Sequence, residues 1–159
     1  MNYRPNTRST AFGIATLAVA AVFVASPARA DRCDDLAKQL VGQIEGLKIG
    51  ETRGGVIYLT HPAAARATLG CSSRNRQNDF YAFTAAKKPS DAFIDFAATA
   101  AALIFTIPKN DADRGSRRCL KRIGLLRGSN ITTRYRKLDI LCNRTKAGTS
   151  ITIAREKGQ

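Results

Sequence analysis

The chain has 159 residues with 26 Lys and Arg, 12 Asp and Glu, one His, four Cys and no Trp, a formal charge of +14. Hydrophobic residues at 44% and charged residues at 24% are ordinary proportions for a folded chain and exclude a disordered or fibrous one. Short Cys or His spacings suited to zinc and a glycine-rich phosphate loop are both absent, so no metal and no cofactor is expected.

Arg4 and Arg8 open the chain without an acid, Ala11 to Ala25 is an uncharged apolar run of 15, and Ser26, Pro27, Ala28, Arg29 and Ala30 follow. A basic start, a short apolar stretch and small residues at a cleavage point are the layout of a secretory signal peptide. Fifteen residues fall short of the roughly 20 that a membrane-spanning helix needs. Cleavage after Ala30 is therefore expected, with residues 1–30 as the signal and residues 31–159 as a single small domain of a bacterial periplasmic or secreted protein. No transmembrane segment is expected to remain.

Within that domain, Cys33, Leu36, Ala37, Leu40, Ile44 and Leu47 recur at helical spacing, which predicts a helix from Arg32 to Ile44 with Asp34 and Asp35 near its positive end. Lys48 to Arg53 leads through Gly54 and Gly55 into Val56 to His61, a β-branched and aromatic run that reads as a strand paired through the Gly-Gly turn. Ala67 to Ser72 and Asp79 to Thr84 read as two further strands around a polar turn at residues 73–78. The clearest helix runs from Ser90 to Thr106, capped by Ser90 and stopped by Pro108. It is apolar nearly all round, as expected of a central buried helix.

A third helix is predicted from Asp111 to Leu126, capped by Asn110 or Asp111, and two closing strands follow at Ile131 to Cys142 and Thr149 to Arg155. The order of these elements predicts an α+β fold: a mostly antiparallel sheet with about three helices packed on one face.

Cys33, Cys71, Cys119 and Cys142 are even in number and all lie in the exported part, which in an oxidising compartment predicts two disulfides. Four cysteines allow three pairings. Joining helix to helix and strand to strand gives Cys33 with Cys119 and Cys71 with Cys142.

The charge is concentrated. Residues 31–113 hold ten basic and ten acidic side chains, whereas residues 114–138 hold nine basic side chains and no acid. Arg114, Arg117, Arg118, Lys121 and Arg122 recur at i, i+3, i+4, i+7 and i+8, a stripe opposite the apolar face of Cys119, Ile123 and Leu126. Arg134 and Arg136 follow on the next strand. Like charges at these spacings repel by a few tenths of a kcal/mol per pair. An anion-binding surface is the functional expectation, since Arg offers bidentate contacts to phosphate, sulfate and carboxylate. The plain alternative is a solvated face neutralised by acids from elsewhere in the fold. With only Tyr135 for stacking, and with export expected, nucleic acid is disfavoured against anionic lipid, acidic polysaccharide or an acidic protein.

His61 is the one side chain whose ordinary pKa lies near neutrality, and it stands at a strand end before Pro62. A small periplasmic hydrolase centred on His61 is the alternative function. No nucleophile elbow accompanies it and the carboxylate neighbours Asp34 and Asp35 diverge on a helix, so no catalytic residue is assigned. A non-catalytic binding domain is the first expectation.

Overall fold

The structure is a computed structural model that describes residues 29–72, 77–124 and 128–155. The expected signal stretch before Arg29, part of the 73–78 turn, Leu126 and Arg127 lie outside these residues. Among the described residues, no helix is long and apolar enough to cross a membrane.

Period-two alternation in the strands decides the architecture. The elements are α1 (Arg29–Gln43), β1 (Lys48–Arg53), β2 (Val56–His61), β3 (Ala64–Gly70), β4 (Asp79–Thr84), α2 (Asp91–Phe105), α3 (Lys109–Arg122), β5 (Asn130–Tyr135), β6 (Leu138–Thr145) and β7 (Gly148–Arg155). The strands form one antiparallel sheet in the order β1-β2-β3-β4-β7-β6-β5. Two meanders meet at β4 and β7, and α2 with α3 form the connection between them. The α+β class, the three helices and the antiparallel sheet are as the sequence predicts.

Register aligns the buried residues into rows. Ile57, Leu69, Phe80, Ile153, Ile140 and Thr133 are successive partners across six strands, and all are buried. A second row runs Leu59, Ala67, Ala82, Ile151 and Cys142, also buried. A strand turns alternate side chains to opposite faces, so these rows make one apolar face, on which the helices lie. α2 contributes nine buried residues to that core, and its Phe96 meets Phe80 edge-on at 5.6 Å between centroids. Ser90 caps α2 by accepting the Phe93 amide, as expected. Its C-terminal Phe105 carbonyl accepts from Arg155 on β7, which supplies the cation that the helix's own last turn lacks.

Three expectations change. The single closing strand over Ile131 to Cys142 is a hairpin, β5 and β6, turned at Arg136 and Lys137 with φ of 50° and 68°. Positive φ at both central residues is the type I′ geometry that Asn-Gly normally signals, and neither residue here carries that signal. The third helix starts two residues earlier, after Pro108 in the cap position without a side-chain cap, and ends at Arg122 rather than running to Leu126.

The disulfides also pair differently: Cys33 with Cys71, at 5.7 Å between Cα atoms, and Cys119 with Cys142, at 6.0 Å. Strand order explains it. Cys71 follows β3 and Cys142 lies in β6, with β4 and β7 between them, a span of three strand spacings or roughly 14 Å. Cysteines more than about 7 Å apart at Cα cannot be bridged. α1 packs at the β1 end of the fold, while α3 packs on β5 and β6, so each helix cysteine meets the sheet cysteine on its own side of the fold.

Candidate functional site

α3 is held against the sheet by its small and apolar side. Ala112, Gly115, Ser116, Cys119 and Leu120 are buried. Gly115 allows a close approach: a Cβ there would stand 2.6 Å from the Ile140 methyl and 3.2 Å from the Tyr135 Cβ. The Cys119–Cys142 bond then fixes the helix to β6. The opposite side of α3 carries the predicted cations, and they divide into paired and unpaired sets.

The paired set is Arg114 and Arg117, the first two cations of the stripe. Arg114 donates to Asp111 at 3.1 Å and to the Asn110 carbonyl at 3.2 Å. Arg117 donates through Nε to Asp113 at 2.9 Å and through Nη1 to Asp91 of α2 at 2.6 Å. The hydrogen bond from Arg117, followed by its positive charge, holds the Asp91 carboxyl below the usual carboxylate range. Hydrogen bonding to Asp91 and then to Asp113 raises Arg117 above its ordinary value. The stripe is thus partly offset by acids, which is the neutralised-face alternative for Arg114 and Arg117 alone. Those acids lie one turn before the cations or on the neighbouring helix.

The unpaired set lies towards the C-terminus. Among the described residues, no carboxylate oxygen comes within 4.0 Å of Arg118, Lys121 or Arg122. The same holds for Arg136 and Lys137 on the β5–β6 turn. Arg118, Lys121 and Arg136 are exposed, and Arg122 is half-buried. Arg134 is placed apart from them. Its neighbour Thr133 is buried on the helix-covered face, so Arg134 points to the open face, where it pairs with Asp139 at 3.1 Å.

Beside the C-terminal half of α3 is a groove of about 900 Å³ that the sequence did not predict. Among the described residues its cations are Lys87, Lys88, Arg117, Lys121 and Arg144, and its single acid is Asp91. Lys87 is positioned from beneath, because the buried Thr149 hydroxyl donates to its carbonyl at 2.8 Å. Arg144 follows Leu138, Ile140 and Cys142 at every second position of β6, which places it on the helix side of the sheet. Its Nε is shielded from solvent and has no hydrogen-bond partner among the described residues. Residue alternation along β6 is the signal that would have found Arg144; Lys87 and Lys88 lie in a stretch whose charges sum to zero and gave none.

His61 stacks on Phe96 at 4.0 Å between ring centroids, with 3° between the planes. Its Nδ1 accepts the Ala63 amide and its Nε2 donates to the Glu45 carbonyl, both at 3.1 Å. These bonds occupy both nitrogens of a neutral imidazole, and among the described residues no Ser, Thr, Cys or carboxylate side chain is hydrogen-bonded to the ring. No cluster of three or more His, Cys, Asp or Glu that could hold a metal occurs among the described residues. No protein-family model, curated protein or solved structure matches the chain.

Proposed function

We propose that this chain is an exported, disulfide-stapled, non-catalytic domain that binds a polyanionic partner through the unpaired part of its basic face. The observation that carries the reading is the set Arg118, Lys121, Arg122, Arg136 and Lys137, cations without a carboxylate partner on a helix and a turn fixed to the sheet. Two L-residues at positive φ support it further. Such a conformation costs about 1–2 kcal/mol per residue, and Asn-Gly would relieve it. A strained turn that keeps two cations is a reason to ask what those cations do.

Two cystines suit an oxidising compartment outside the cytoplasm, and the layout of residues 1–30 supports export to it. Acidic lipid head groups, acidic polysaccharide and acidic proteins share the required chemistry and that location. Arg134 faces away from the others and takes no part in this surface.

The test is a triple substitution, Arg118→Gln, Arg122→Gln and Arg136→Gln, measured by retention on heparin and by co-sedimentation with vesicles rich in phosphatidylglycerol. Each cation near an anionic surface contributes about 1 kcal/mol, so affinity is expected to fall roughly 100-fold while circular dichroism stays native. Unchanged retention would overturn the proposal. For export, the processed chain is expected to begin at Asp31 and to show no thiol reactive towards alkylation before reduction.

A further inference from the structure

We infer that the groove between the start of α2, the C-terminal half of α3 and the end of β6 is a binding site for an amphiphilic phosphate, a phosphomonoester head joined to an apolar chain. Three features of the groove specify this chemistry together.

The first is charge. Five cations come from three separate stretches of chain and face one carboxylate, Asp91, which Arg117 already holds at 2.6 Å. The excess suits a head with more than one negative charge, as a phosphomonoester carries near neutrality.

The second is Arg144. A guanidinium nitrogen shielded from solvent without an acceptor lacks the hydrogen bond that a buried charged donor requires. Arg144 lines the groove, and a turn of its guanidinium towards an anion seated there would supply the missing acceptor. Arg rather than Lys at this point allows a forked contact to two phosphate oxygens. The α2 N-terminus, with Ser90 and Asp91 on the same wall, adds its positive dipole end.

The third is the apolar part of the lining, Ile94, Leu120 and Ile123. Inorganic phosphate makes no use of such a floor, whereas an alkyl chain buries against it. A volume of about 900 Å³ is in the range of small-molecule sites. The groove shares Lys121 with the polyanion surface, but Arg118, Arg122 and Arg136 do not line it, so variants at those three residues let either proposal fail alone.

The probe is dihexanoylphosphatidic acid at monomeric concentration, followed by calorimetry and by amide NMR shifts, with dihexanoylphosphatidylcholine and inorganic phosphate as comparators. Saturable binding is expected, at least tenfold tighter than either comparator, with shifts at Lys87 to Ile94, Leu120, Ile123 and Arg144. Arg144→Met, and separately Lys87→Gln with Lys88→Gln on the exposed loop, are each expected to weaken it at least tenfold. Arg118→Gln with Arg122→Gln is expected to leave it unchanged.

Vesicles containing long-chain phosphatidic acid distinguish the source. Binding to them as well as to the monomer assigns a membrane head group, and binding to the monomer alone assigns a free amphiphile. Absence of saturable binding, equal affinity for inorganic phosphate, or unchanged affinity in the Lys87 and Lys88 double variant would each overturn the site.

Discussion

Opening the two cystines is the perturbation whose magnitude follows most directly from the fold. The bridges span 38 and 23 residues and neither loop encloses the other. In the chain-entropy description, loops of these lengths stabilise the folded state by about 4 and about 3.5 kcal/mol. Their sum is about 7 kcal/mol because the loops are independent, and a domain of this size has a total stability of about 5–15 kcal/mol. Urea unfolding with and without reductant is the assay. Reduction is expected to remove most of the stability, and Cys33→Ala with Cys71→Ala to remove somewhat more than half of that loss. The pairing itself is read by trypsin under non-reducing conditions. Mass spectrometry of the digest is expected to find the Cys33 peptide linked to the Cys71 peptide and the Cys119 peptide linked to the Cys142 peptide. A Cys33 peptide linked to a Cys119 peptide would refute the strand-order reasoning, and an unchanged urea midpoint on reduction would refute the loop energetics.

Three further outcomes are expected. Replacing Arg136 by Asn and Lys137 by Gly removes two L-residues from positive φ and should raise stability by about 1–2 kcal/mol; a lower urea midpoint would contradict the turn assignment. Gly148→Ala should cost more than about 3 kcal/mol, because φ is 145° and an added Cβ would collide with the Thr84 carbonyl and the Ala85 backbone; near-native melting of the variant would count against the β6–β7 geometry. Asp91, lowered by Arg117, keeps its ion pair throughout the neutral range. Its contribution to stability is present above the unfolded-state carboxylate value and is lost as pH falls through the lower folded-state value. A carboxyl NMR titration should show a midpoint below that of an ordinary Asp, and Arg117→Gln should return it to the ordinary range.

Local signals in the sequence were sufficient where they were strong. Ser90 and Pro108 bracket an apolar run, and α2 begins and ends within a residue of the prediction. Gly54 and Gly55 announce the first hairpin, and the structure turns there with φ of 56° and 76°. The second hairpin carries no such mark, since Arg136 and Lys137 adopt the same geometry against their own preference. Pairing of the cysteines was not legible because it depends on which strands separate them, a property of the whole sheet. The spacing of the basic stripe places its residues on one helix, α3, but the acid-free segment begins at Arg114, directly after the two acids, Asp111 and Asp113, that pair with it.

The distribution of charge along α3 explains how the helix tolerates its cations. Of the five cations, Arg114 and Arg117 are the two nearest the positive end of the helix dipole, and these are the two that acids neutralise. Lys121 and Arg122 occupy the last turn, where a cation gains typically 0.3–1 kcal/mol from the dipole, and they need no carboxylate to persist. The disulfide at Cys119 holds this half against β6 whether or not the cations repel. The field is therefore graded, compensated near Asp111 and positive near Lys121, and its positive end lies beside Lys87, Lys88 and Arg144. Reversing that grade is the consequence to test. Lys121→Glu would place an acid against the dipole and within the groove, so both helix stability and phosphate-amphiphile binding should fall. Arg114→Glu would leave binding in the groove intact, since Arg114 does not line it. Equal loss of binding in the two variants would mean that the net charge of the domain, and not the groove, governs the affinity.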